Sequence, residues 1–320
     1  MDETSLYRFV VIVESGSLSR AAARLKVTQP ALTRTLQSLE SRFGAQLLRR
    51  GAGGVLLTPY GEALLMRAKL ILAELRYLDS EVDALRNLAT GVVKVGVPSG
   101  LGFTSEVLPA ATLPLLTDES RLELSYMIGT RDHLLRALRH GDLDFVVAET
   151  THGSDASDLA QERLFSDHSA VIVRTDHPLA ARRRIPVSAL ITHPWIVLSD
   201  SDQLETVLRG ILAEQNAQVK RSVLRSNSAL FVRSAVSKTN AVGLMSLDAA
   251  RTDLRNGLLM ELVVEHRGQR VPLPTRELGV VYRRDAVLSS AALALIGELR
   301  RQCDRRAGRK PQPTRSRASH

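Results

Sequence analysis

From Thr58 to Leu85 the chain carries apolar residues at Leu64, Ala68, Ile71, Leu75, Leu78, Val82 and Leu85, with spacings that alternate between four and three without a break. This repeat restricts the fold more than any other feature of the sequence. A helix lying on a globular core shows a broad apolar stripe, whereas a seam confined to a and d positions suits a coiled coil. Thr58-Pro59 is a clear start signal, an N-cap followed by proline in the first turn. A helix this long with so narrow a stripe is not stable by itself and calls for a partner, most simply a second copy. The seven residues are expected to form a dimerisation seam.

Before this helix lie three shorter helical patterns. Leu6, Phe9, Val10 and Val13 recur at helical spacing up to Gly16. Ser17 caps a second helix with Leu18, Ala21, Ala22 and Leu25 on its inner face, and "KVT" makes a tight turn. Thr28 is a good N-cap for a third helix, Pro30 is tolerated in its first turn, and Gly44 closes it after Phe43. On that third helix Leu32, Leu36, Leu39 and Phe43 fall on one face, which packs on the first two helices. Gln29, Thr33 and Gln37 form an i, i+4 stripe on another, joined by Pro30 and Arg34. Next, "QLLRRGAGGVLLT" reads as a small hairpin with Arg49 and Arg50 before a glycine-rich tip.

Two helices joined by a short turn, the second showing Gln, Thr and Arg near its start, match the helix-turn-helix device. A helix fits the major groove, where Gln bonds adenine edges, Arg forks onto guanine and a Thr methyl touches thymine. Arg49 and Arg50 on the hairpin could reach phosphate or the adjacent minor groove. A plain αα-hairpin also satisfies the pattern. The wing and the heptad helix tip the reading towards DNA.

Total charge adds little. The formal net charge is +9, yet 300–320 alone holds eight Lys/Arg against one Asp, so seven of the nine excess charges sit in that segment. It reads as a basic, disordered tail too polar to fold alone, with a phosphate-binding arm as the alternative. No apolar run approaches the length of a membrane span, the acidic start "MDE" does not resemble a secretory signal, and Cys303 is the only cysteine. A cytoplasmic location is expected, with no disulfide, no thiolate metal cluster and no cofactor.

From Gly91 the character changes. "VVKVGV", "RLELSYMI", "LDFVVAE", "HSAVIVR", "WIVL" and "LGVVY" are short strands alternating with helical segments, the pattern of an α/β domain with a largely parallel sheet. A final helix is expected near Ser289 to Leu299.

Over some sixty positions "FVVIVESGSLSRAAARLKVTQPALTRTLQSLESRFGAQLLRR…LTPYGEALL" resembles the N-terminal signature of LysR-type transcriptional regulators. The likeness continues more loosely through "RTDHPLA" and "HPWIVL". It implies a winged helix-turn-helix at 1–58, a linker and dimerisation helix at 59–90, and an effector-binding domain at 91–299 resembling periplasmic binding proteins. Lobe 1 of that domain would take 91–165 and 267–299, and lobe 2 would take 166–266. Carried over by position, Thr28, Gln29, Pro30, Thr33 and Arg34 would face the groove, with Arg49 or Arg50 in the wing. Leu48 stands where the family usually has Phe.

In parallel α/β sheets, ligands bind beyond the carboxyl ends of strands and near helix N-termini. Such junctions place Ser99 and Gly100, Thr130, and Ser199 and Ser201 as candidate effector contacts, with Asn227 and Met245 from "RSNSALFVRSAVSKTNAVGLM". Hydroxyls and backbone N–H groups there suit a small carboxylate or other anion. Each Ser or Thr could equally be only a helix cap. With 4% aromatic residues, a polar metabolite is favoured over a large planar one.

Enzyme readings find little. Gly96-Val97-Pro98-Ser99-Gly100 does not meet the Gly-x-Ser-x-Gly elbow, no Gly-Lys-Ser/Thr follows for a phosphate loop, and the eight His form no His-Glu-x-x-His pair. A hydrolase or small-molecule transferase is the competing class; no catalytic and no metal-binding residue is assigned. The expected partners are double-stranded DNA, a small-molecule effector, further copies in a homodimer or homotetramer, and RNA polymerase.

Overall fold

A computed structural model describes residues 2–51, 54–85, 90–98, 103, 106–117, 121–150, 157–199, 202–214 and 223–306. The candidate residues Ser99, Gly100 and Ser201, part of the wing tip, and 307–320 lie outside them.

The head contains α1 (Glu3–Ser15), α2 (Leu18–Leu25), α3 (Gln29–Phe43), β1 (Leu48–Gly51) and β2 (Gly54–Leu57). Its boundaries follow local chemistry. Asp2 accepts the Ser5 N–H at 2.8 Å to cap α1, and Ser17 accepts the Arg20 N–H at 3.2 Å to cap α2. Gly16 and Gly44 end α1 and α3 in the left-handed region, both at φ +63°. Thr28 holds the N-cap position of α3, but its side chain makes no capping bond there.

Phe9, Ile12, Ala21, Leu32, Leu39 and Leu47 form the head core. Two details differ from the face expected for α3. Phe43 is 45% exposed, because the last turn runs past the helices that cover the rest, and Thr35 is buried instead. Thr35 donates to the Ala31 carbonyl at 3.1 Å and accepts from Arg8 at 3.2 Å, so its hydroxyl is satisfied inside. Glu40 reaches back to accept the Leu47 N–H at 2.9 Å, which ties the hairpin to α3.

Thr58 caps α4 (Pro59–Leu85) by accepting the Gly61 N–H at 3.1 Å. Here the seam expectation needs a correction. Ala68 is 0% exposed, packed in its own chain against Leu6 and Val10 of α1, with Leu64 partly buried beside it. α1 is only 13 residues long, so it covers the first turns of α4 and does not reach the flank carrying Ile71, Leu78 and Val82. Of the remaining seam positions Ile71, Leu78 and Val82 are exposed and Leu75 is half-buried. The Leu85 side chain is outside the described residues.

The rest is α/β. β3 (Thr90–Pro98) lies parallel between β4 (Arg121–Gly129) and β5 (Phe145–Glu149); β13 (Thr275–Arg283) adds antiparallel to β5. α5 (Val107–Thr112), α6 (Arg131–Arg139) and α10 (Ser290–Arg306) belong to this first lobe. In the second lobe β8 (Trp195–Leu198) lies parallel between β9 (Val223–Ser226) and β10 (Val242–Ser246). There β11 (Leu259–His266) pairs with β7 (Arg184–Pro186) and β12 (Gln269–Arg270), and the helices are α7 (Asp202–Glu214), α8 (Ala229–Lys238) and α9 (Leu247–Arg255).

β6 (Leu159–Arg174) belongs to both lobes: Leu159–His168 pairs with β13, whereas Ser169–Arg174 pairs with β10 and β11. The sheets are thus mixed, each with a parallel centre and antiparallel crossing strands. β12 still pairs within the second lobe, so the chain returns to the first lobe at Thr275 rather than at 267.

The expectation of a disordered segment from residue 300 is also corrected. α10 continues to Arg306, because Cys303 extends the apolar row of Leu295, Ile296 and Leu299 into the first-lobe core. Burial pushes the Cys303 thiol up to about 12, so it stays protonated. Arg306 pairs with the buried Asp248 of α9 in the second lobe.

Candidate DNA-reading surface and interlobe seam

α3 is held from behind by Leu32, Thr35 and Leu39, which leaves Thr28, Gln29, Pro30, Arg34 and Gln37 exposed and Thr33 half-buried. These residues lie on one helix flank, as their spacing required. Two are further constrained. The Thr33 hydroxyl donates to the Gln29 carbonyl at 3.1 Å, so its methyl is the part left to contact a partner. The Ser19 hydroxyl of α2 donates to Gln29 Oε1 at 3.0 Å, which holds the amide near the start of α3.

The wing pairs Arg49 with Leu56 and Arg50 with Val55. Arg49 is exposed; the Arg50 side chain is outside the described residues.

The head carries an electrostatic signal that the net charge of the whole chain conceals. Between Ser17 and Arg50 stand seven Lys/Arg and a single acid, Glu40, whose carboxylate is spent on the Leu47 and Leu48 N–H groups. The acids of the head sit instead in and before α1, where Glu14 pairs with Arg24 at 3.1 Å. α2, α3 and the wing therefore present a cationic surface, the electrostatic footprint expected for a polyanion.

The effector candidates divide. Thr130 is exposed at the start of α6, Ser199 is exposed after β8, and Asn227 is exposed after β9. Register places the end of β3 beside that of β4, Pro98 against Gly129, and the end of β8 beside that of β9, Leu198 against Ser226. The Ser199 and Asn227 positions are thus neighbours at strand carboxyl ends, and Thr130 follows directly on the end of β4.

Met245 is not part of this set. Its side chain is fully buried among Ile172, Val232 and Val236, because alternate residues of a strand point to opposite faces and this one faces α8. Ser228, not Asn227, caps α8 by accepting the Phe231 N–H at 3.2 Å.

Sequence reasoning missed the polar junction between the lobes. Asp167 of β6, buried, accepts Ser246 Oγ of β10 at 2.6 Å and Arg276 of β13 at 2.6 Å. Glu106, before α5, accepts the Thr252 hydroxyl of α9 at 2.9 Å and pairs with Arg255. With Arg306 and Asp248, these contacts join α5, α10 and β13 of the first lobe to α9 and β10 of the second. Composition did not mark them out: Asp167 stands between Ser166 and His168 in a polar stretch of β6.

The matches to known proteins fit this arrangement. Residues 4–62 match the family model of the bacterial regulatory helix-turn-helix protein, lysR family, and residues 86–304 match that of the LysR substrate binding domain. The HTH-type transcriptional regulator GbpR of Rhizobium radiobacter is 27% identical over 247 residues, 77% of this chain and 81% of that protein. An uncharacterized HTH-type transcriptional regulator of Escherichia coli K12, YdcI, is 26% identical over 304 residues, 92% of this chain and 94% of that protein. Among solved structures, ArgP from Mycobacterium tuberculosis superposes with a TM-score of 0.68 at 19% identity, covering 95% of this chain and 97% of that one. Full-length OxyR from Pseudomonas aeruginosa does so with a TM-score of 0.68 at 20% identity, covering 94% and 98%; both likenesses speak for the fold alone. A helix-turn-helix head, a long helix and a two-lobed α/β domain, with both family models matched in that order, make this chain a member of the LysR-type transcriptional regulators, DNA-binding proteins with an effector-binding domain.

Proposed function

We propose that this regulator reads an operator with the exposed flank of α3, in pairs, and that a small anionic metabolite held between the lobes adjusts how the pairs sit. Thr28, Gln29, Pro30, Thr33, Arg34 and Gln37 lie along base edges in the major groove, and Arg49 and Arg50 meet phosphates beside it. Ile71, Leu75, Leu78, Val82 and Leu85 join two copies through the open part of α4, so that two heads address the halves of an interrupted palindrome.

The metabolite sits at the strand ends carrying Ser99, Gly100, Thr130, Ser199, Ser201 and Asn227. It acts by population shift and leaves unchanged, so no catalysis is involved. We assign the division 1–58, 59–90 and 91–306, a cytoplasmic setting, and RNA polymerase as the partner at the promoter.

The observation that carries the reading is the single flank of α3 bearing exposed Gln29, Arg34 and Gln37 on a rigid, cationic head. Arg34→Ala in the full chain should weaken operator binding by about 1–3 kcal/mol and relax the base preference at one position. Footprints and affinities identical to the parent would overturn the groove assignment. Leu75→Asp with Leu78→Asp should give monomers in sedimentation that bind the operator poorly; an intact dimer would refute the seam.

A further inference from the structure

At one corner of the head two backbone segments touch with no side chain between them. Gly16 ends α1 at φ +63°, and Gly54 opens β2 at φ +125°. The Val55 N–H donates to the Gly16 carbonyl at 3.0 Å, and a Cβ on Gly54 would stand 2.2 Å from that same oxygen. No real side chain fits there, so any residue but glycine at 54 must push the hairpin away from the α1–α2 turn.

The donor is also free to serve this purpose. In the hairpin register Gly51 faces Gly54 and Arg50 faces Val55, and Val55 directs its N–H out of the two-strand ladder to Gly16. An isolated two-stranded hairpin is marginal in water and has no fixed direction of its own. The wing borrows its direction at both ends. Its base is tied by Glu40 to the Leu47 N–H, and its tip by Gly16. The same turn continues into Ser17, which caps α2. One corner therefore sets the angle between the wing and the α2–α3 pair.

We propose that the Gly16–Gly54 contact is what aims the wing at the duplex, with Gly54 a positioning residue for the DNA contact of Arg49. The inference rests on the reading of α3 and the wing as the DNA-facing surface. A head whose wing swings loose keeps its base readout through α3 but loses a phosphate contact.

The test uses the full-length protein on a high-affinity operator fragment, with affinity measured across salt concentrations. Loss of one phosphate contact lowers the slope of log affinity against log salt by about one. Arg49→Ala and Gly54→Ala should each lower it by that amount, while the ratio of operator to random-duplex affinity stays within about twofold of the parent. Val55→Pro removes the donated hydrogen bond without adding a Cβ at 54 and should give the same slope as Gly54→Ala; it decides the matter if Gly54→Ala lowers the unfolding temperature. A reduced slope for Arg49→Ala with a parental slope for the two wing-tip variants overturns the proposal and leaves the wing contact standing. Parental slopes in all three remove the wing from the interface and take the proposal with it.

Discussion

Helix α4 meets its two neighbours through different chemistry. Towards α1 it offers Leu64, Leu65, Ala68 and Leu72, which close on Leu6 and Val10. Towards the first lobe it offers Lys69, Glu74 and Tyr77, which meet Asp142 at 2.7 Å, Arg283 at 3.3 Å and Asp144 at 2.6 Å. Leu70 against Gly141 is an apolar exception on the lobe side.

Apolar contact is non-directional and unaffected by charge screening, whereas each ion pair or hydrogen bond competes with water and weakens with salt when exposed. Head and α4 thus form one body. The lobe is attached mainly through polar groups, of which Tyr77 and Asp144 are buried.

The difference can be broken most forcefully at Ala68. Ala68→Asp puts a carboxylate without a partner into a fully buried apolar site and should cost the head–helix unit about 4 kcal/mol, read from chemical denaturation. Parental stability would mean that the apolar flank does not join the two.

Next comes Asp144, which is buried and accepts both the Tyr77 hydroxyl at 2.6 Å and the Lys94 N–H at 2.8 Å. Asp144→Ala strands both donors and should cost about 2–3 kcal/mol. Hydrogen exchange should quicken at β3 and leave α1–α3 as protected as before. Equal loosening of the head would show that the two flanks are not independent.

The smallest effect sharpens the comparison through pH. Burial, with Asp144 alongside, raises the Tyr77 phenol above its ordinary value, so the hydroxyl remains a donor. A folded value above the unfolded one means that the contribution is complete below about pH 10 and fades as pH climbs towards the raised value. Burial lowers the neighbouring Lys94 ammonium, whose contribution changes with the opposite sign over the same range. The informative quantity is therefore the gap between parent and Tyr77→Phe. It should be about 1 kcal/mol at neutral pH and shrink above pH 10. Parallel pH profiles would remove Tyr77 from the joint.

Much of the head was legible because its signals are local. Ser17, Gly44 and the 3.6-residue spacing of Leu32 and Leu39 act within a turn or two of themselves, and the exposed flank of α3 follows from where its apolar flank lies. Phe43 was misjudged by the same rule, since periodicity says which way a residue points and not whether a neighbour reaches it. The effector residues were harder. Thr130, Ser199 and Asn227 follow from strand ends, yet Met245 was placed with them although strand alternation turns it inward. Cys303 was missed because arginines surround it, although it lies four residues after Leu299 on the same helical row.

By itself the sequence determined where helices begin and end in the head, that a long helix follows, and that strands and helices alternate after it. Those outcomes are set by backbone and capping chemistry between near neighbours. Tertiary structure alone decided that Ala68 belongs to its own head, that Arg306 crosses to the second lobe, and that Asp167 meets Arg276, a partner 109 residues away. No local pattern encodes such pairings. They exist only because packing removes water from both groups at one place and leaves each as the other's available partner.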